Sequence, residues 1–150
     1  MYVPGNISAA IRDITLSNTG GPANVAAALE INGASRQFSV VDTTLNASNA
    51  SLPSFSAVGL WIDVGPNSPR IHNIKTFSSG APVNYGIYTS GDGVMIFDSW
   101  ISISGSGYSV YNNNGSGIRL VDSTVTAPTH QLVGRCANVF DINNDNYTCT

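Results

Sequence analysis

Apolar and polar residues alternate in short segments along most of the chain. Because successive side chains of a strand point to opposite faces, this alternation predicts β-strands that bury one face. Clusters of Gly, Pro, Asn and Ser, which favour turns, separate the segments, as in 65–69 and 112–117. A helical period of apolar residues is absent outside 23–29. The pattern therefore predicts an all-β chain.

Two kinds of segment recur along the chain. The first is built around an Asp or Asn anchor near an apolar residue, and its anchors are separated by 29, 31, 25 and 24 positions. These anchors are Asp13, Asp42, Asn73, Asp98 and Asp122. The second kind falls between them, as Ala28-Leu29-Glu30, Gly59-Leu60-Trp61, Gly86-Ile87-Tyr88 and Ser109-Val110-Tyr111. Two motifs that recur together at a period of this length predict a solenoid of stacked β-coils.

The clearest units resemble those of a known family of folds. They are Tyr85-Gly86-Ile87-Tyr88 with Phe97-Asp98-Ser99, and Tyr108-Ser109-Val110-Tyr111 with Val121-Asp122-Ser123. Over roughly 11–127 such units resemble the right-handed parallel β-helix repeats of secreted bacterial proteins. The resemblance implies a right-handed parallel β-helix (a solenoid) of about five coils. It specifies a fold more than an activity, since the family includes polysaccharide lyases and hydrolases, phage tailspikes and adhesins.

The second kind of segment predicts an outward column of side chains. If Leu29, Leu60, Ile87 and Val110 face the core, the residues after them face outward, and these are Glu30, Trp61, Tyr88 and Tyr111. Neighbouring coils stack about 4.8 Å apart, so side chains of one column touch. Two interpretations stay open. Either the rings point inward or only stabilise the stacking, or they form a platform for sugar rings or a partner protein.

A second candidate surface follows the anchors. Residues two positions after them give Thr15, Thr44, Lys75, Trp100 and Thr124, and residues four positions after give Ser17, Asn46, Phe77, Ser102 and Thr126. Rows of hydroxyls are typical of ice-binding solenoids, but Lys75, Phe77 and Trp100 interrupt both rows, which argues against ice binding. These three residues, called the second patch below, are predicted to take part in binding or assembly.

The anchors also raise the question of catalysis. A polysaccharide hydrolase needs two carboxylates at a suitable separation, and stacking would place Asp98 beside Asp122. No basic residue is an obvious partner for either in the sequence. A carboxylate or amide at a bend can instead accept backbone N–H groups. We therefore assign no catalytic residue and expect no cofactor.

Composition limits the partners and the location. Only 10% of the residues are charged and the net charge is −3, so no basic stripe is available for nucleic acid. No apolar run approaches the roughly 20 residues of a membrane span. The start lacks the features of a signal peptide, so either a signal was removed or the chain is a piece of a longer one. Polarity with little charge predicts an extracellular or cell-surface protein.

The last segment predicts a cap. Cys136 and Cys149 are the only cysteines, and their spacing suits a disulfide that closes a short loop better than a zinc site. The segment 141–146 begins like a calcium loop but has Asn146 where Gly is required, so no metal is expected. A hairpin that pairs 137–141 with 147–149 is preferred. The predicted division is β-helix coils over 1–128 and a capping hairpin over 129–150.

The expected function follows from this architecture. The first coil lacks a comparable cap, and an uncovered end exposes unpaired backbone groups, so we expect it to abut an upstream domain or another copy of the chain. We predict a non-enzymatic extracellular structural, adhesive or self-assembly module, which associates through the solenoid ends or the aromatic face. The alternative is a polysaccharide-binding or polysaccharide-cleaving β-helix domain, tailspike-like or lyase-like, with a glycan as partner.

Overall fold

The computed structural model describes most of the chain. The described residues are 1–3, 10–20, 24–32, 38–49, 56–63, 69–90, 93–113, 117–130, 135–141, 143 and 145–147. All regular structure within them is β-structure, with seventeen strands. In chain order these are β1 (Tyr2–Val3), β2 (Ala10–Arg12), β3 (Thr15–Asn18), β4 (Val25–Asn32), β5 (Ser39–Val41), β6 (Thr44–Ser48), β7 (Ser56–Asp63), β8 (Arg70–His72), β9 (Lys75–Ser79), β10 (Val83–Thr89), β11 (Met95–Phe97), β12 (Trp100–Ile103), β13 (Gly107–Asn112), β14 (Arg119–Val121), β15 (Thr124–Val125), β16 (Thr129–His130) and β17 (Arg135–Ala137).

Every third strand belongs to the same sheet, and the strands of each sheet pair in parallel. The first sheet has the order β1-β4-β7-β10-β13-β16, the second β17-β14-β11-β8-β5-β2, and the third β15-β12-β9-β6-β3. Parallel neighbours require a crossover, and here the crossover of each strand consists of the strands of the other two sheets. The chain is therefore a parallel β-solenoid, which confirms the predicted all-β coiled fold.

The passage from the second sheet to the third is the same in every coil. The five anchor residues and Asn138 all have positive φ angles between 49° and 52°. Asp and Asn are the non-glycine residues that occupy this left-handed region most readily. The recurring anchors are thus explained by backbone conformation at a sharp corner, while the acceptance of backbone N–H groups by their side chains stays a prediction.

Buried hydroxyl groups follow several anchors. The Ser99 hydroxyl donates to the carbonyl of Phe97 at 2.7 Å and accepts the N–H of Ile74, in the preceding coil, at 3.3 Å. The Ser123 hydroxyl accepts the N–H of Ser99 at 3.1 Å. These bonds join consecutive coils at the corner, where the backbone turns away from the regular pairing of the sheets.

The variable coil length arises mainly between the third and first sheets. Six residues separate Asn18 from Val25 and seven separate Ser48 from Ser56, but only three separate Ser79 from Val83 and Ile103 from Gly107. The two longer connections fall in the coils with anchor spacings of 29 and 31, and the two shorter ones in those with 25 and 24. The solenoid therefore changes coil length without changing the corner.

The core consists of inward columns, one from each sheet, as the alternation predicts. All members named here are buried, with at most 1% of their surface exposed. The first sheet contributes Leu29, Leu60, Ile87 and Val110; the second contributes Val40, Ile71, Ile96 and Leu120; the third contributes Leu45, Thr76, Ile101 and Val125. Stacking like side chains along one column lets each coil bury its apolar face against its neighbours.

The last segment of the chain joins the sheets of the coils, while the predicted division into coils and a capping hairpin stays a prediction. Parallel pairing continues past residue 128, because β16 pairs with β13 and β17 pairs with β14. An antiparallel bridge joins Phe140 to Asn146, and the Tyr147 N–H donates to the Val139 carbonyl at 2.7 Å. Cys136 packs against the core. Cys149 lies outside the described residues, so its disulfide with Cys136 stays a prediction.

One carboxylate, that of Asp141, organises the segment that begins like a calcium loop. Asp141 Oδ1 accepts the backbone N–H groups of Asn143 at 2.8 Å and Asp145 at 2.9 Å. These bonds are those of an Asx turn, in which a carboxylate satisfies the backbone two residues ahead. The carboxylate thus has a structural role at this turn.

Candidate binding surface

A break in the alternation of β10 places two tyrosines on the same outward side. Gly86 and Ile87 are both buried, while Tyr85 and Tyr88 on either side of them are partly exposed. A Cβ atom on Gly86 would lie 2.4 Å from Ile101 Cγ2 and 2.6 Å from the carbonyl oxygen of Ser109, so glycine permits a close approach here. Two consecutive inward residues shift the alternation by one, and residues three positions apart then face outward together.

Parallel register extends this arrangement over several coils. One line of paired residues runs Glu30–Trp61–Tyr88–Tyr111, and we call it the Trp61 column. A second runs Ala27–Val58–Tyr85–Tyr108, and we call it the Tyr85 column. Together the two columns cover the outward side of the first sheet.

The five rings of these columns form one connected cluster. Tyr88 and Tyr111 stack with centroids 5.4 Å apart and planes 11° from parallel. Tyr85 and Tyr108 stack at 6.4 Å and 15°. Trp61 meets Tyr88 edge to face at 5.3 Å. Such contacts each stabilise a pair by about 0.5–1.5 kcal/mol beyond the area they bury.

The column predicted from the sequence is present, but it contributes only three of the five rings of the cluster. Trp61, Tyr88 and Tyr111 face outward and are half-buried, as predicted for a ladder. Strict alternation from Ile87 would place Tyr85 in the core, but two consecutive buried residues, Gly86 and Ile87, turn it outward. The Tyr-x-x-Tyr spacing, repeated at Tyr108 and Tyr111, is the sequence signal that could have revealed the second column.

The strands of the first sheet carry acidic residues but no Lys or Arg, and His130 of β16 pairs in register with Tyr111 at one end of the Trp61 column. Burial, followed by the proximity of Tyr111, Tyr88 and Tyr108, raises the pKa of Tyr85 above its ordinary value of 10.0. Burial, followed by Tyr111 and then Asp63, raises the pKa of Tyr88. Asp63 accepts a hydrogen bond from the Ser90 hydroxyl. The strands of the first sheet contain two carboxylates, Glu30 and Asp63, and neither Lys nor Arg.

Depressions flank Trp61 on both sides. One is lined by Val25, Ser56, Val58, Trp61, Tyr85 and Tyr88. The other is lined by Met1, Tyr2, Asn18, Val25, Ala27, Glu30 and Trp61. The indole therefore lies between two concave areas of the sheet surface. At this point the Tyr85 column changes from tyrosines to Val58 and Ala27.

The second patch lies on the third sheet. Phe77 and Trp100 are 44% and 43% exposed, and Lys75 pairs in register with Trp100. A shallow depression beside it is lined by Asn73, Ile74, Lys75, Asp98, Ser99, Trp100, Asp122 and Thr124. The predicted outward directions of Lys75, Phe77 and Trp100 are thus confirmed, while their role in binding or assembly stays a prediction.

Asp98 has a basic partner that the sequence does not suggest. His72 Nε2 lies 2.8 Å from Asp98 Oδ2, and both side chains are about half exposed. Coil stacking brings the two together, because Phe97, the residue before Asp98, pairs with His72. Among the described residues no group of three or more His, Cys, Asp or Glu side chains is arranged to hold a metal ion.

Comparison with known proteins adds no family to this description. The chain was compared with protein-family models, curated proteins and solved structures, and no match was found in any of the three. Within the described residues, no helix has the length and apolar character needed to cross a bilayer. The fold and the aromatic face of the first sheet are therefore the observations from which a function can be argued.

Proposed function

We propose that the chain is a non-enzymatic adhesive module of the secreted β-helix type, acting outside the cell or at its surface. Its contact surface is the aromatic face, defined as Trp61, Tyr85, Tyr88, Tyr108 and Tyr111. The partner is another macromolecule, either a glycan or a second copy of the chain. A structural module without this contact is the alternative that the experiment below would favour.

One observation carries the proposal: five aromatic rings lie together on the outward side of a sheet, not in its core. Burying a large aromatic ring stabilises a contact more than burying most other side chains, and Trp and Tyr are enriched among the residues that dominate binding energy. The solenoid core is already filled by the inward columns, so the fold has no need of these rings for its interior.

The acidic residues support a role other than catalysis. Asp13, Asp42, Asp98 and Asp122 all occupy the left-handed corner, where their type is favoured by backbone conformation. Asp122 accepts a hydrogen bond from Asn138 at 2.8 Å and Asp42 accepts one from Asn73 at 2.6 Å. These carboxylates are therefore accounted for by the geometry of the coils.

The test compares two double variants. Trp61→Ala/Tyr88→Ala removes two rings of the aromatic face, and Phe77→Ala/Trp100→Ala removes two exposed rings of the second patch, the competing candidate surface. Self-association is measured by light scattering, and glycan retention by affinity electrophoresis in polysaccharide gels, after circular dichroism has shown that each variant is folded. We expect the first variant to lose association or retention and the second to keep it. Equal behaviour of both variants and the unmodified chain would refute the proposed surface.

A further inference from the structure

We infer that the aromatic face contains a binding position for one pyranose ring of a neutral glycan, at the step where the Tyr85 column changes from tyrosines to small residues. This inference rests on the proposed function, because it assigns the partner of the same surface. The position is bounded by Tyr85, Trp61 and Tyr88, with Val58 beneath it and Ser56 at its edge.

The step follows from the register of the Tyr85 column. Tyr108 and Tyr85 stack in consecutive coils, and the next residues of the column are Val58 and Ala27, which have no ring to continue the stack. All ring contacts of Tyr85 are with Tyr88 of its own strand and with Tyr108 and Tyr111 of the following coil. The side of Tyr85 that faces the preceding coil therefore borders the depression.

The walls of the depression are aromatic. Trp61 and Tyr88 flank it, and their edge-to-face contact fixes the angle between them. Val58 lies at the bottom and is only 1% exposed, so the surrounding side chains rise above it. The result is a concave position with rings on its sides and with Val25, Ser56 and Val58 completing its lining.

A sugar ring has one face that can stack on the aromatic rings of this position. The face of an aromatic ring carries partial negative charge. The axial C–H groups on one face of a pyranose carry partial positive charge and form a flat apolar surface, so the two faces attract. The hydroxyls at the rim of the sugar would remain in water or meet polar groups such as the Ser56 hydroxyl.

The charged residues of the first sheet favour neutral glycans over anionic ligands that also stack on aromatic rings. The strands of the first sheet carry Glu30 and Asp63 and no Lys or Arg. The carboxylates of Glu30 and Asp63 would repel an acidic polysaccharide, and no Lys or Arg of these strands would attract it. Nucleic acid also stacks its bases on aromatic rings, but its affinity depends on Lys and Arg contacts to phosphate.

The sharpest test fills the position with a side chain of the protein itself. Val58→Tyr would extend the tyrosine stack by one ring, in the place that a sugar would occupy. The next coil shows that the strand accepts this arrangement, since Tyr85 and Tyr88 have the same spacing as residues 58 and 61. Val58→Thr is the control, because it is close in volume and leaves the step open, and circular dichroism checks that its buried hydroxyl leaves the protein folded. Tyr85→Ala removes the stacking face and serves as an independent variant.

Binding is followed through the fluorescence of Trp61. The chain has two tryptophans, so Trp100→Phe leaves Trp61 as the only one. In that background the probes are cellohexaose, mannohexaose and, as an acidic probe, hexagalacturonate. We expect both neutral probes, or one of them, to bind in preference to hexagalacturonate. Val58→Tyr and Tyr85→Ala should weaken that binding by about tenfold or more, which is about 1.4 kcal/mol, and Val58→Thr should not.

Three results would overturn the inference, and they separate it from the proposed function. If neutral probes bind equally to the Val58→Tyr and Val58→Thr proteins, the glycan binds elsewhere. If hexagalacturonate binds more tightly, the charge argument is wrong. If no probe binds while light scattering still shows association through the aromatic face, the partner is a second copy of the chain, and the proposed adhesive function stands without the sugar position.

Discussion

Gly86 lies so close to Ile101 that a Cβ atom on the glycine would be 2.4 Å from Ile101 Cγ2. The same atom would be 2.6 Å from the carbonyl oxygen of Ser109, which belongs to the backbone and cannot rotate away. The first and third sheets therefore meet at this point with no room for a methyl group. The contact lies at the bend that turns Tyr85 outward, and the same pair of consecutive buried residues recurs at Ala28–Leu29 and Ser109–Val110. Core packing and the shape of the aromatic face are therefore connected.

Gly86→Ala should lower the free energy of unfolding by about 1–3 kcal/mol or more, because overpacking forces the two sheets apart. Gly59→Ala is the graded comparison, since its nearest contacts are 2.7 Å and 2.9 Å, and its loss should be smaller. Urea denaturation followed by circular dichroism measures both. A Gly86→Ala protein as stable as the unmodified chain would show that the sheets can separate without cost.

Ser99→Ala should destabilise the corner by about 1–3 kcal/mol, because the buried N–H of Ile74 loses the hydroxyl that accepts it. Thr76→Val is the matched control. The Thr76 hydroxyl is buried and has no hydrogen-bond partner among the described residues, so its removal should leave stability unchanged or raise it by about 1 kcal/mol. The unfolding temperature should therefore fall for Ser99→Ala and stay the same or rise for Thr76→Val. A loss of stability in both would mean that the Thr76 hydroxyl is satisfied in solution.

Asp13→Ala should cost about 1–2 kcal/mol, because alanine is strained at a φ of 52°. Asp13→Asn should be nearly neutral, since asparagine tolerates this conformation as aspartate does. The side chain of Asp13 is exposed, so packing changes little in either variant. Denaturant midpoints of the pair test the corner alone. Equal midpoints for alanine and asparagine would show that the side chain is chosen for another reason.

Stability should fall in alkaline solution through the tyrosine cluster. Burial raises the pKa values of Tyr85 and Tyr88, so the unfolded chain releases these protons first and base favours unfolding. Their contribution is complete below about pH 10 and is lost as the pH rises through the folded pKa values. The measurement is the denaturant midpoint across this range. Tyr85→Phe/Tyr88→Phe should flatten the decline, and an unchanged slope would contradict the prediction.

The corners and the inward and outward columns of the coils can be predicted from the sequence, because they depend on local residue preferences. The left-handed corner requires Asp, Asn or Gly, so Asp98 and Asp122 mark it directly. The inward columns follow from alternation, and Lys75, Phe77 and Trp100 face outward as that alternation requires. These features depend on a residue and its immediate neighbours, which a single sequence displays.

The remaining features depend on contacts between coils. Tyr85 is turned outward at a bend where Gly86 packs against Ile101 and Ser109, and neither neighbour is close to it along the chain. His72 meets Asp98 only after the register between β8 and β11 is fixed. The composition of a segment does not reveal such distances. Alternation alone therefore predicts three of the five rings of the aromatic face, and the other two, Tyr85 and Tyr108, are marked only by the repeated Tyr-x-x-Tyr spacing.

The constant corner makes each coil an interchangeable unit of length. A second copy of 98–121 inserted after Val121 would begin at the same corner and end in the same strand as the original. Its side chains would meet both neighbours in the existing register. Each such duplication would lengthen the molecule by about 4.8 Å and add one tyrosine to each aromatic column. Tandem duplication of one coil would thus extend the contact surface without any change to the core residues of the existing coils.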